Sequence, residues 1–266
     1  MNRKIGKIII FLIIVITIIV SYFTLHRQET NDGNNPSSGA APSVQNQTEA
    51  VKTPKPENKT AENVVEPATK QPAQNIPEKF LLDMPFYSQA PLSKWDAFHE
   101  DMCEESSVLN AALFLEGKKL TRNQFEAELQ KMQDVEKKKI GEWKSTTVSQ
   151  VKKFVDIYFD GRIKGKIISN PSIEDIEAEI AAGNPVLAPL AGRDIGNPNF
   201  TPPGPVYHML VIKGYDAHNF ITNDVGTRKG DSYAYKKEII MKNMHDWDEK
   251  DIHLGEKMVL ALYGQD

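Results

Sequence analysis

The sequence predicts an α+β fold, with helices first and strands second. Three observations carry this. Between residues 101 and 183, apolar residues recur at helical spacing behind Asp, Thr and Ser residues of the kind that cap helix N-termini. From residue 185 onward, the apolar residues come in short runs separated by Gly, Pro, Asn and Asp. These runs follow one another without helices between them. That points to a mainly antiparallel sheet and away from the alternating βαβ order of a doubly wound fold.

The chain has 266 residues, a formal net charge of -4 and one cysteine. This length allows one ordinary domain plus an additional segment, or two small domains. The mild acidity gives no electrostatic footprint for nucleic acid, and none is expected as a partner. One cysteine forms no internal disulfide, so its thiol is free. No phosphate-binding glycine loop is present, and no cofactor is expected.

Three regions follow from composition. Residues 1–27 are expected to be a transmembrane anchor. Ile8 to Leu25 form an apolar run of about 18 residues, roughly 27 Å as helix, enough to span a bilayer. Arg3, Lys4 and Lys7 precede it, and after Arg27 the next basic residue is Lys52. The positive-inside rule then places the N-terminus in the cytoplasm and the rest outside. A cleaved signal peptide is disfavoured because bulky Tyr22, Phe23 and Leu25 stand where small residues belong. Residues 28–78 lack aromatic residues and hold only scattered Val and Ile. Such a segment cannot bury enough apolar surface to offset its chain entropy and is expected to be a disordered linker.

Residues 79–266 are the expected folded domain. Leu81 to Tyr87 reads as a short extended segment. A helix is expected from Cys103 to near Gly117, with Asp101 as N-cap and Glu104 completing a capping box. Thr121 with Gln124 starts another, running to about Met132. Thr146 to Phe159 gives a third, and Ser172 caps a fourth that Gly183 closes. Strands are expected at Arg162–Ile168, Pro185–Leu190, Val206–Tyr215, Asn219–Asp224 and Ser232–Lys236, with Lys257–Tyr263 as a closing central strand.

Cys103 falls in the first turn of its helix, where free N–H groups and the helix dipole favour a negative charge. Its pKa is therefore expected to fall, and the same N–H groups could hold an oxyanion. The competing reading is a small buried apolar residue. His208 lies in the apolar strand Val206–Ile212 and needs a partner for at least one ring nitrogen. Asn223 and Asp224 face opposite sides of the next strand. An odd hairpin loop puts Asp224 beside His208 and an even one puts Asn223 there, barring a bulge. Asp is the better orienter of an imidazole that must carry charge, which favours Asp224. The order Cys, His, Asp is that of a cysteine-nucleophile triad with papain-like order.

The set Phe86-Tyr87-Ser88-Gln89, Trp95-Asp96, Cys103-Glu104-Glu105-Ser106, Tyr207-His208-Met209-Leu210-Val211, Gly214-Tyr215-Asp216 and Asn223-Asp224 resembles the stand-alone peptidase C39-like family. These are relatives of the bacteriocin-leader-processing cysteine peptidases. The resemblance covers roughly Phe80 to Tyr263 and implies a papain-like fold. It implies Cys103 as nucleophile, His208 as general base and then acid, Asp224 as its orienter, and Gln89 as an oxyanion donor beside the Cys103 N–H. Two features depart from the leader-processing enzymes. The Gln-to-Cys interval is long, and Glu104 and Glu105 follow the cysteine, where carboxylates oppose a thiolate.

Trp95 is expected to bind substrate by walling the cleft, or else to cover the helix. His99 is expected to be solvated, and the Arg193–Pro205 loop to rim the cleft. His245, Asp246, Asp248, Asp251 and His253 lack a metal-ligand spacing and read as a charged surface turn; no metal is expected. The function expected is a membrane-anchored extracytoplasmic cysteine hydrolase with peptide or protein substrates. The alternatives are an inactive binding module on the same fold, and a cell-wall amidase or acyltransferase on the same core.

Overall fold

The computed structural model describes residues 76–141 and 144–265. The expected anchor, and the expected linker up to residue 75, lie outside the described residues. Among those described, no helix is long and apolar enough to cross a membrane. The described residues fall in the unit Pro67–Asp266. Near its start, Ile76 packs on the core and the Pro77 carbonyl accepts the Tyr215 hydroxyl at 3.0 Å.

Helices precede most of the strands, and every strand pair is antiparallel. The strands are β1 (Phe80–Leu81), β2 (Ile163–Ser169), β3 (Val186–Ala191), β4 (Tyr207–Tyr215), β5 (Asn219–Asn223), β6 (Tyr233–Lys236) and β7 (Met258–Gly264). They form one sheet in the order β2-β7-β3-β4-β5-β6, with β1 added alongside β4. The last strand, β7, is interior, as its unbroken apolar sequence requires.

The helices are α1 (Ala97–Glu100), α2 (Cys103–Leu115), α3 (Arg122–Lys139), α4 (Val148–Tyr158), α5 (Ile173–Ala181) and α6 (Lys237–Asn243). Capping boxes open three of them, at Thr121 with Gln124, Thr147 with Gln150 and Ser172 with Asp175. Gly183 follows α5 at φ 93°, a backbone shape that favours glycine. α3 runs well past Met132 because its inner face continues in polar residues, Gln133 and Glu136, which the apolar spacing did not register.

The start of α2 differs from expectation. Its N-cap is Met102, with no side-chain cap. Asp101 instead ends the single turn α1, which Asp96 caps by accepting the His99 N–H. Glu104 is therefore not part of a capping box. α2 is also buried on all sides from Cys103 to Leu113, its polar residues included, rather than along one apolar stripe. It packs on β4 and β7, and the Ser107 hydroxyl donates to the Met209 carbonyl at 3.1 Å.

Candidate active site

Two segments bring the candidate residues together. The first is the extended run before α1. Asn110 on α2 receives the Tyr87 N–H and donates to the Tyr87 carbonyl, both at 2.9 Å. Asn223 on β5 donates to the Pro85 carbonyl at 2.8 Å. The Gln89 N–H then reaches the Val225 carbonyl at 2.9 Å. So Gln89 is held between the cysteine helix and the end of β5.

The second segment is the β4–β5 hairpin. Tyr215 pairs with Phe220, so four residues, 216–219, connect the strands. An even loop would put Asn223 on the His208 face. A bulge between Ile212 and Gly214 shifts the register, so that Val211 pairs with Asn223. Asp224, just past the strand end, thereby falls on the face of Leu210 and His208. The bulged Lys213 is buried and its ammonium reaches Asp231 at 3.0 Å.

His208 Nε2 meets Asp224 Oδ1 at 2.8 Å, and both residues are buried. Every acceptor site on Asp224 is used. Oδ1 also accepts the Gly226 N–H at 3.1 Å, and Oδ2 accepts Asn197 Nδ2 at 2.8 Å and the Tyr235 hydroxyl at 2.5 Å. Burial alone would raise the Asp224 pKa. His208, Tyr235 and Asn197 outweigh it and hold the carboxyl below its ordinary value. Close packing fixes the pair. A Cβ on Gly226 would lie 2.8 Å from His208 Cε1, and one on Gly230 only 1.8 Å from the Asp224 carbonyl oxygen. The Phe200 ring stands edge-on to His208 at 5.3 Å.

With Nε2 committed to Asp224, Nδ1 is the ring nitrogen left for chemistry. His208, Cys103, Gln89 and Trp95 all line one cavity of about 970 Å³. Phe200, Val206 and Trp247 supply apolar wall, and the exposed Arg228 and Lys229 border it. Trp95 is 40% exposed, so it walls this space rather than covering α2. The loop before β4 does more than rim the cleft, because it carries Asn197 and Phe200.

The cysteine side departs from expectation. The Cys103 thiol donates to Glu104 Oε2 at 2.8 Å, and no Cys103–His208 hydrogen bond exists among the described residues. Burial pushes the thiol pKa well up, and Glu104 pushes it further; the Met209 N–H, on the residue next to His208, works the other way. The expected lowering of the Cys103 pKa is thus reversed. The helix N-terminus is present, but desolvation and a carboxylate at contact distance exceed it. Glu104 itself is buried and its pKa is raised to about 7. Burial and Glu136 push the Glu105 carboxyl well above its ordinary range.

Gln89 also differs. Its Nε2 donates to the His99 carbonyl at 2.7 Å and more loosely to the Glu100 carbonyl at 3.3 Å, so only the looser proton is free to turn toward an oxyanion. The Cys103 N–H, at the first helical position, has no backbone partner among the described residues. His99 is buried, not solvated, and sits between Asp96 at 2.7 Å and Glu126 at 2.9 Å. In the turn after α6, His253 lies between Asp251 and Asp194, each at 2.7 Å, while His245 meets the Gly255 carbonyl.

Sequence reasoning missed Asn197, Tyr235, Phe200 and Gly226. Tyr235 had a signal, since a tyrosine buried on an edge strand needs a partner for its hydroxyl. Asn197 had none beyond its place in the loop leading to His208.

A thiol at a helix start and an imidazole backed by a buried carboxylate thus meet one cleft. Comparison with known proteins gives the family. The model of the Peptidase_C39 like family matches residues 81–250, and the chain belongs to that family. Membership points to a function of the cysteine-peptidase type. Among solved structures, the chain is similar to a candidate C39-like peptidase from Bacillus anthracis, with 15% identity and a TM-score of 0.47, covering 71% of this chain and 100% of that one. No curated protein matches the chain.

Proposed function

We propose that this protein is a cysteine hydrolase of peptide or amide bonds, with Cys103 as nucleophile, His208 as acid and base, and Asp224 as the residue that orients His208. The observation that carries this is the His208 Nε2–Asp224 Oδ1 bond of 2.8 Å, which leaves Nδ1 for the cleft that Cys103 lines. Attack of the Cys103 sulfur on a carbonyl, with the thiol proton passing to His208, gives an oxyanion. The Cys103 N–H and the looser Gln89 proton would stabilise it. Collapse expels the amine, which takes a proton from His208. Water activated by His208 then hydrolyses the thioester. Trp95 and Phe200 would supply the apolar contacts that hold substrate.

The domain boundaries 1–27, 28–78 and 79–266 belong to the same reading. The apolar run after Arg3, Lys4 and Lys7 supports a membrane anchor with the hydrolase outside the cytoplasm. Extraction of the membrane fraction at alkaline pH tests this: release of the full-length chain would contradict an anchor. For the activity, the test is turnover of a quenched-fluorescent peptide library by the native chain, Cys103→Ala and His208→Ala. Activity in the native chain alone supports the proposal, and equal activity in Cys103→Ala would refute it.

A second reading is a binding module without turnover. The neutral thiol, bound to Glu104 and not to His208, favours it. That module would alkylate no faster than a free thiol and show no loss on His208→Ala.

A further inference from the structure

We propose that Glu104 takes the Cys103 proton, so that a thiol–carboxylate pair stands in front of the His208–Asp224 pair. This deepens the function proposed above and rests on it. Cys103 remains the nucleophile and His208 remains the acid for the leaving amine; only the first proton step is reassigned.

The geometry supports this at three points. A general base must lie within hydrogen-bond reach of the proton it removes. Glu104 Oε2 is 2.8 Å from Cys103 Sγ, while His208 makes no hydrogen bond to the sulfur among the described residues. The other carboxylate oxygen is anchored, because Glu104 Oε1 accepts the Thr146 N–H at 2.8 Å and its hydroxyl at 3.4 Å. That anchor fixes the rotamer and leaves Oε2 aimed at the sulfur. Glu104 also lines the substrate cavity, so the pair faces an incoming carbonyl.

The surroundings suit a base. Glu104 is flanked by Glu105 on its own helix, Glu136 from α3 and Tyr207 from β4, with Asp246 acting on Tyr207 as well and His208 across the cavity. Apart from His208 these are all acids, which disfavours extra negative charge. Burial is the largest cause that lifts Glu104 to about 7, the range where a base is both ionised and basic.

The protons balance. The thiol proton passes to Oε2 as the S–C bond forms and the carbonyl electron pair moves onto oxygen. His208 enters each cycle carrying the proton it took from water in the previous deacylation, and gives it to the amine as the C–N bond breaks. Neutral His208 then takes a proton from water, which adds to the thioester. Collapse releases the thiolate, and Glu104 returns its proton to sulfur. One water is consumed per bond cleaved.

The test is the pH profile of iodoacetamide alkylation at Cys103, with peptide turnover measured beside it. The native rate is expected to rise with pH through about 7. Glu104→Gln is expected to lose that inflection and to react about 100-fold more slowly at pH 7.5. His208→Ala is expected to keep the inflection while losing turnover. Faster alkylation of Glu104→Gln than of the native chain would overturn the proposal, as would loss of the inflection in His208→Ala; the Cys–His reading would then stand with His208 as base. Turnover surviving in Cys103→Ala would instead sink the reading underneath. His208→Ala retains Glu104, so the proposal stays testable even if Glu104→Gln fails to fold.

Discussion

The two walls of the cleft are built on opposite principles. On the strand side, Asp224 is ionised, four donors satisfy it, and glycines at 226 and 230 let the chain close around it. On the helix side, burial is as deep but satisfaction is not. Among the described residues, the Ser106 hydroxyl and Gln89 Oε1 are buried without a hydrogen-bond partner, and the buried Glu105 carboxyl meets the carboxyl of Glu136. A buried charge is tolerated only when paired and hydrogen-bonded. The strand side meets that condition and holds a charge. The helix side does not, and so keeps the Cys103 thiol and the Glu105 carboxyl protonated and lifts Glu104 to about 7. The lesson is that one cleft can set a preformed imidazole–carboxylate pair opposite a thiol that stays neutral.

Substitutions can break this contrast, and the largest effect is expected at Cys103, the proposed nucleophile. Cys103→Ala should lower turnover by about 10⁴-fold or more, measured on any peptide the native chain cleaves. Asp224→Asn should keep the fold yet cost about 10²–10⁴-fold, because the amide cannot stabilise imidazolium and favours the wrong tautomer. Tyr235→Phe removes one donor to a charged oxygen. It should cost about 1.5–3 kcal/mol in denaturant unfolding, with the Asp224 pKa moving upward. Gly230→Ala should destabilise by about 1–3 kcal/mol, because a Cβ meets the Asp224 carbonyl oxygen and neither backbone can yield cheaply.

The helix side gives the opposite pH behaviour. Glu104 has its folded pKa raised from 4.5 to about 7. Between those values the folded state binds a proton that the unfolded state has lost, so stability falls as pH rises. Glu105 adds in the same direction. The protein should therefore lose on the order of 1–3 kcal/mol between pH 5 and pH 8, seen as a falling Tm, and Glu104→Gln should flatten the slope. Asp224 works the other way. Its lowered pKa gives stability that is fully present above the unfolded value and is lost as pH falls through the folded one. A Tm that rises from pH 5 to pH 8 would contradict the account of the helix side.

Much of this was legible in the sequence, and the gaps have physical causes. The α+β order, the caps at Thr121 and Ser172 and the strand carrying His208 follow from periodicity and local hydrogen-bond chemistry. The choice of Asp224 over Asn223 was open because it depends on a bulge at Lys213. A lysine in an apolar strand is the only local sign of that bulge, and its partner, Asp231, lies 18 residues on. The state of Cys103 was misread for a related reason. Helix position is a local property, whereas burial of α2 on every side is tertiary. The Glu104 carboxylate was visible beside the cysteine, but its direction was set by Thr146, from a loop 42 residues away.

The central claim is that Cys103 forms a covalent acyl intermediate in front of the His208–Asp224 pair. Rapid acid quenching of the native chain with its cleaved peptide, followed by mass mapping, tests it most directly. The account predicts the acyl mass on Cys103 in the native chain and none in Cys103→Ala. Peptide turnover with no acyl group on Cys103 at any quench time, or with the acyl group on another residue, would contradict it.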